Sequence, residues 1–305
     1  MDIRDLQVFL AVTTRLNFTR AGEDVHLSQP SVSVRIRQLE RELGVKLFEQ
    51  LGKRVALTEA GRLLEPYARR VVAAMDDALH AVEEMQGLER GTVRVGASTT
   101  PGTYLVPAII ARFKRDHPKV EIRLSVRDTR QVEEGVLGDD FDFGFVGGHL
   151  VSGEVEVIRW ITDEILLVVA PGHPLAKRRQ VRLRDLQGEK FIYREPGSAT
   201  QATVSAALQD VGVEFDSVME ADNPGVAKQA VRSGLGIAFL SQFAIRTDLR
   251  AKTLRVVKVQ GLDIKRELKI VHRKDKHISR AARALIETAK LNSVVRQFGG
   301  SLVTD

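Results

Sequence analysis

Gln29, Ser33, Val34 and Arg37 are spaced to stand together on one face of a short helix, and their side chains match the exposed edges of base pairs. Glutamine can pair with adenine through two bonds, arginine with guanine, serine with several edges, and a valine methyl can meet the methyl of thymine. A second group of residues lies where short apolar runs give way to helix starts. "ASTTPG" (97–102) supplies Ser98, Thr99 and Thr100, "REPGSAT" (194–200) supplies Ser198 and Thr200, and "ADNPG" (221–225) supplies Asn223. Unpaired backbone N–H groups and hydroxyls at such places suit a small anion or carboxylate, whereas a well-capped helix that holds nothing uses the same residues.

The elements that must position the first group can be read from apolar spacing. Val32, Ile36, Leu39 and Leu43 form one stripe, predicted to be buried, which turns Gln29, Pro30, Ser33, Val34, Arg37 and Arg41 away from the core. Ser28 is a good N-cap, and Pro30 falls in the first turn, where a missing N–H costs nothing. Upstream, Leu6, Phe9, Leu10 and Thr13 predict one helix, and Phe18, Ala21, Gly22 and Val25 a second, with a tight break at His26, Leu27 and Ser28. The geometry is that of a helix-turn-helix, which also occurs as plain packing. Val45–Leu51 and Val55–Leu57 then predict two strands around Gly52, Lys53 and Arg54, a basic-tipped hairpin whose Lys53 and Arg54 can reach phosphate. Thr58 caps a helix predicted to last to about Leu88, roughly 45 Å long. Leu64, Ala68, Val71, Met75, Ala78, Val82 and Met85 give it a heptad seam that calls for a partner helix, and Pro66 is expected to kink it.

Composition sets outer limits. The 305 residues carry a net charge of +6, but residues 1–90 hold 13 basic against 14 acidic residues, whereas 246–296 hold 15 against 5. Total charge therefore points to the wrong end of the chain, and "KRELKIVHRKDKH" reads as a solubilising surface. The reading helix and hairpin, residues 29–57, keep a local excess of six basic over three acidic residues. With no cysteine there are no disulfides, thiolate metal sites or thiol nucleophiles. Met1-Asp-Ile-Arg-Asp leads straight into a periodic helix without the apolar run of a secretory signal, so the expected compartment is the cytoplasm, with no membrane contact. Phosphate-binding, zinc-protease and nucleophile-elbow patterns are missing, the seven histidines are scattered, and neither an enzyme nor a cofactor is expected.

Beyond Gly91 the character changes. Val93–Ala97, Glu121–Val126, Phe141–Val146, Ile165–Ala170 and Ile237–Leu240 are short apolar runs separated by helical stretches, the rhythm of a parallel α/β sheet with crossover helices. Two lobes are expected, one from about 91–162 and 267–305, the other from about 163–266, with ligand sites at the carboxyl ends of strands.

"LQVFLAVTTRLNFTRAGEDVHLSQPSVSVRIRQLERELGVKLFEQ" followed by "VALTEAG" resembles the N-terminal signature of LysR-type transcriptional regulators, and the layout matches along the whole chain. The resemblance implies an α/β protein with a winged helix-turn-helix at 1–58, a linker and dimerisation helix at 59–90, and a two-lobed effector-binding domain like the periplasmic solute-binding proteins at 91–305. It implies that Gln29, Pro30, Ser31, Ser33, Val34 and Arg37 contact bases or backbone of double-stranded DNA, with Thr19, Lys53, Arg54 and Thr58 on phosphates. It likewise implies that Ser98, Thr99, Thr100, Thr129, Gly147, Ser198, Thr200 and Asn223 line an effector cleft for a small, anionic metabolite. A homodimer or homotetramer follows, with RNA polymerase as a candidate partner. The chain departs from the family at Gly22, commonly alanine, at Val34, often arginine, and at Gln50, usually arginine. The alternative for residues 91–305 is a transport receptor, which has no use for the winged N-terminus.

Overall fold

The computed structural model describes residues 1–51, 54–85, 91–209 and 215–298, which fall into an N-terminal and a larger C-terminal unit. In the first, α1 (Ile3–Arg15) is closed at its start by reciprocal bonds between Asp2 and Asp5, and α2 (Phe18–Asp24) is capped by Asn17. The third helix, α3 (Gln29–Leu43), starts at Ser28 and ends at Gly44 with φ 73°. Val32, Ile36 and Leu39 are buried against Leu6, Phe9, Val12 and Ala21, as the stripe predicts. Leu43 is not; it is 38% exposed, because the helix turns away at Gly44 immediately after it.

The residue that joins α3 to the hairpin is the buried Glu40. Its carboxylate accepts from the Leu47 N–H at 3.0 Å and the Phe48 N–H at 3.4 Å, and it pairs with Lys46 at 2.6 Å. Because those N–H groups turn inward, the strand predicted from Val45 begins only at Phe48. β1 (Phe48–Leu51) then pairs antiparallel with β2 (Arg54–Leu57). A Cβ on Gly22 would stand 2.4 Å from the Leu27 carbonyl oxygen, so the turn between α2 and α3 closes on this glycine and an alanine would force it to shift. The long helix α4 (Glu59–Met85) is one element through Pro66. Of its predicted seam, Leu64 and Ala68 pack into the unit's own core, while Val71, Met75, Ala78 and Val82 stand exposed; the Met85 side chain lies outside the described residues.

The C-terminal unit contains β3 (Gly91–Ser98), α5 (Thr99–Tyr104), α6 (Val106–Asp116), β4 (Val120–Arg127), α7 (Thr129–Leu137), β5 (Phe143–Gly147) and β6 (Val155–Val169). It continues with β7 (Lys190–Arg194), α8 (Ala199–Leu208), β8 (Asp216–Ala221), α9 (Pro224–Arg232), β9 (Ala238–Ser241), α10 (Gln242–Arg250), β10 (Arg255–Val257), β11 (Ile264–Arg273), α11 (Arg280–Lys290) and α12 (Asn292–Gln297). The sheet is mixed, not parallel as its rhythm predicts. β3 pairs parallel with β4 and β5, but β11 runs antiparallel to β5 and β6, and β6 antiparallel to β9 and β10. The basic stretch read as a solubilising surface is largely β11, whose Leu268, Ile270 and Val271 are fully buried.

Two hydrophobic cores make the two lobes. Val95, Phe113, Phe145, Trp160, Leu268 and Leu285 belong to one; Leu167, Phe191, Phe239, Val257 and Ile264 belong to the other. β6 and β11 run through both, paired from Ile264↔Ile165 to Arg273↔Val155.

Removing the Glu40 carboxylate strands two inward-turned N–H groups. Glu40→Ala is expected to lower stability by about 2–3 kcal/mol in urea unfolding, whereas Glu42→Ala, on the exposed side of the same helix, stays within about 0.5 kcal/mol.

Candidate DNA-reading helix and effector cavity

The exposed start of α3 presents Gln29, Pro30, Ser31, Val34 and Arg37, with Ser33 half-buried. The Gln29 amide donates to Ser33 Oγ at 2.9 Å, and the hydroxyls of Ser28 and Ser31 bond to each other at 2.8 Å. These side chains satisfy one another across single helical turns and can exchange those bonds for base edges without unburying anything. Thr19 is exposed at the start of α2, its N–H held by Asn17. Arg54 is exposed on β2, and Lys53 lies outside the described residues. Thr58 is already engaged, donating to the Lys46 carbonyl at 2.6 Å and accepting from the Gly61 N–H at 3.0 Å. The face is therefore Gln29 to Arg37, with Thr58 serving as the clasp between hairpin and α4.

In the C-terminal unit four chain segments converge. Ser98, Thr99 and Thr100 come from the end of β3 and start of α5, Asp128 and Thr129 from the start of α7, Arg194 from the end of β7, Ser198 and Thr200 from the start of α8, and Arg266 from β11. Ser98, Thr100, Thr129, Ser198 and Thr200 are all buried. The space between these groups is about 20 Å³, little more than one water molecule occupies. Asp128 and Ser198 cap α7 and α8, accepting from the N–H groups of Gln131 and Gln201. Thr129 Oγ1 is buried and has no hydrogen-bond partner. An orphaned buried hydroxyl costs about 1–3 kcal/mol.

Both guanidinium groups at the cavity are ion-paired. Arg194 donates to both oxygens of Glu195, at 2.8 and 2.9 Å, and to the Ala221 carbonyl at 3.2 Å. Arg266 holds Asp163 with Nε at 2.9 Å and Nη2 at 2.8 Å, and Nη2 also donates to Thr100 Oγ1 at 3.1 Å. The other oxygen of Asp163 accepts from the Ser241 hydroxyl at 2.7 Å. Burial pushes the Asp163 carboxyl up from the ordinary aspartate range, against the opposing pull of Arg266 and Ser241.

Six of the eight sequence-predicted cavity residues are therefore brought together. The other two lie elsewhere. Gly147 sits in β5 opposite Leu268 of the neighbouring β11, where a Cβ would meet Leu268 at 2.6 Å and the Arg266 guanidinium carbon at 3.5 Å. Asn223 caps α9 by accepting from the Val226 N–H at 2.9 Å. Sequence reasoning missed Asp128, Asp163, Arg194, Ser241 and Arg266. Arg194 stood at the head of a quoted turn and was legible there; Asp163 and Arg266 are 103 residues apart and meet only through strand register. Among the described residues no histidine and acidic cluster could hold a metal, and no helix is long and apolar enough to cross a membrane.

A helix-turn-helix with a strand hairpin, followed by a two-lobed α/β unit with a polar cavity, defines a DNA-binding regulator that carries a small-molecule domain. Residues 3–62 match the bacterial regulatory helix-turn-helix protein, lysR family, and residues 86–292 match the LysR substrate binding domain. The chain belongs to the LysR family; it is a LysR-type transcriptional regulator, not an enzyme. Among its relatives is an Escherichia coli protein described as the uncharacterized HTH-type transcriptional regulator YeiE, 38% identical over 285 residues, covering 93% of this chain and 96% of that one. Another is the RuBisCO operon transcriptional regulator of Allochromatium vinosum, 34% identical over 287 residues and covering 94% and 95% of the two chains. A full-length OxyR variant from Pseudomonas aeruginosa has the same fold, with a TM-score of 0.79 at 22% identity over 100% of this chain and 98% of that one.

The buried pair generates a stability test. Asp163→Asn leaves the Arg266 charge uncompensated in the interior and is expected to cost about 3–5 kcal/mol in chemical unfolding, with the double variant Asp163→Asn/Arg266→Met recovering part of that loss.

Proposed function

We propose that this regulator binds a partly palindromic promoter site as a homodimer or homotetramer in the cytoplasm, and changes its grip on DNA when a small anionic metabolite occupies the cavity. The observation that carries the effector half is the unpartnered, buried Thr129 Oγ1 at the start of α7, in a cavity lined also by the hydroxyl residues Ser98, Thr99, Thr100, Ser198 and Thr200 and by two ion-paired arginines. The division into 1–58 for DNA, 59–90 for pairing and 91–305 for the effector, with lobes exchanging near 162 and 267, is part of the same reading. Gln29, Pro30, Ser31, Ser33, Val34 and Arg37 take the base and groove contacts, and Thr19, Lys53 and Arg54 the phosphates, while Thr58 acts through the clasp it makes to the Lys46 carbonyl. Ser98, Thr99, Thr100, Thr129, Ser198 and Thr200 take the effector; Gly147 acts by leaving room beneath Arg266, and Asn223 by holding α9. RNA polymerase is the candidate partner at the promoter.

Pairing is supported by the exposed apolar row on α4. Leu63, Tyr67, Val71, Met75, Leu79 and Val82 are each about half exposed or more, more apolar surface than an isolated helix leaves to water. The effector must bind one lobe arrangement better than the other, since equal affinity shifts no population.

The experiment is a footprint on the DNA flanking the gene, with and without candidate metabolites. Gln29→Ala is expected to cost about 1–3 kcal/mol on the specific site and little on random duplex; equal losses on both would remove Gln29 from base reading. Thr100→Val is expected to keep DNA affinity and lose the effector-dependent change in footprint. Simultaneous loss of both would show that the two functions do not separate.

A further inference from the structure

Resting on the DNA-binding reading above, we propose that the second lobe carries a separate phosphate-binding surface, which holds duplex DNA running on from the site read by α3 through its backbone, without regard to sequence. The excess positive charge does not lie in the unit that reads DNA. Of 46 basic and 40 acidic residues, 13 and 14 fall in residues 1–90, which leaves 33 against 26 in residues 91–305. Many of those cations are matched, as Arg112 is by Asp116, Arg130 by Glu134, and Lys228 by Asp248. Between His173 and Leu186 the pattern changes. Five basic residues stand there against one carboxylate, Asp185.

Asp185 is already engaged, accepting from the Arg182 N–H at 2.9 Å and facing Arg178 at 3.6 Å. Glu189, the next carboxylate along the chain, faces His173 at 3.4 Å. Lys177, Arg179, Arg182 and Arg184 are exposed, and no carboxylate among the described residues lies at ion-pair distance from any of them. The backbone beneath them is firmly held. Two single turns of 3₁₀ helix, Pro174–Lys177 and Leu183–Leu186, flank Val181, and Leu175, Val181 and Leu186 are buried in the core of the second lobe. The Val181 N–H donates to the Lys258 carbonyl at 2.9 Å, and the Gln260 N–H donates to the Val181 carbonyl at 2.8 Å. Arg255 of β10, opposite Val169 just upstream of the segment, shares the face of Val257, which packs in that same core, and adds a further exposed cation.

A nucleic-acid backbone fits this surface better than another protein does. The centre of a protein interface is depleted of charge and carries aromatic or aliphatic anchors, whereas every leucine and valine of this segment is buried or half-buried. Val256, the exposed apolar residue of β10, lies on the opposite face of its strand from Arg255. Arginine predominates over lysine, and its planar guanidinium matches phosphate oxygens in pairs. Duplex DNA offers about one negative charge per 1.7 Å of its axis. Once α3 holds its site, the adjoining duplex is tethered to the same chain, so weak backbone contacts form at high effective concentration.

The test is the salt dependence with which the full chain binds a long duplex of the DNA flanking its own gene, and a random duplex of equal length. Three proteins are compared: the natural one, Arg179→Gln/Arg182→Gln/Arg184→Gln, and Arg115→Gln/Lys119→Gln/Arg283→Gln. The last removes three exposed cations from the first lobe and controls for net charge. Each lost phosphate contact lowers the slope of log affinity against log salt by about 0.9, so the second-lobe variant is expected to lose about two to three from that slope. Its preference for the specific duplex is expected to persist, because backbone contacts carry no sequence information, and the first-lobe variant is expected to keep the natural slope. Equal slopes for all three proteins, or an equal loss in both variants, would overturn the proposal and leave base reading by α3 standing. An unchanged slope in the second-lobe variant, with loss of transcription by purified RNA polymerase, would also overturn it and assign the surface to an acidic protein partner. No discrimination between the duplexes by the natural protein would overturn the DNA-binding reading and this proposal with it.

Discussion

Asp163 and Arg266 stand opposite each other on β6 and β11, where the two strands leave one hydrophobic core and enter the other. Burying two charges is expensive, and the cost is recovered only when geometry is good and the remaining polar atoms are satisfied. Here both conditions hold. Arg266 grips Asp163 with two nitrogens and spends its third contact on Thr100, while Ser241 satisfies the other carboxylate oxygen. Thr100 belongs to the cavity wall and Ser241 caps α10 in the second lobe. The pair thus ties the strands that connect the lobes to a hydroxyl of the cavity wall. An effector that competes for Thr100 alters how Arg266 is held, and a lobe movement that parts β6 from β11 exposes both charges.

The N-terminal unit solves a different problem, that of holding one helix so that its polar start faces outward. Val32, Ile36 and Leu39 fix its inner face, and Glu40 clamps the chain that follows it. The clamp sets where the hairpin starts, and Thr58, at the head of α4, ties back to the Lys46 carbonyl just before it. Position along the DNA backbone and reading of base edges therefore rest on one rigid block. The same unit leaves an apolar row on α4 exposed, the surface on which the proposed pairing rests.

Much of this was legible in the residues. Local rules placed the helix starts at Ser28, Ser198 and Asn223, because a cap depends only on its neighbours in sequence. Helical periodicity identified the stripe of α3, and its one failure, Leu43, came at the end where the helix stops. The sheet was harder. β6 and β11 carry Glu156, Arg159, Lys265 and Glu267 on their exposed faces, so their alternation looked like a charged surface, and antiparallel pairing between strands 100 residues apart leaves no local trace. For the same reason the hydroxyls of the cavity were visible from sequence and its salt bridges were not. Asn223 was misplaced because a capping asparagine reads the same whether or not the helix it starts points at a ligand.

On the proposed function, the exposed start of α3 reads a specific DNA sequence. A gel shift of the full chain on the DNA flanking its own gene, against random duplex competitor at low and moderate salt, tests this reading. Retention of the specific complex at moderate salt with discrimination of about a thousandfold or more is the predicted result. Binding that is equal on specific and random duplex and falls away uniformly with salt would show only phosphate contacts and contradict it.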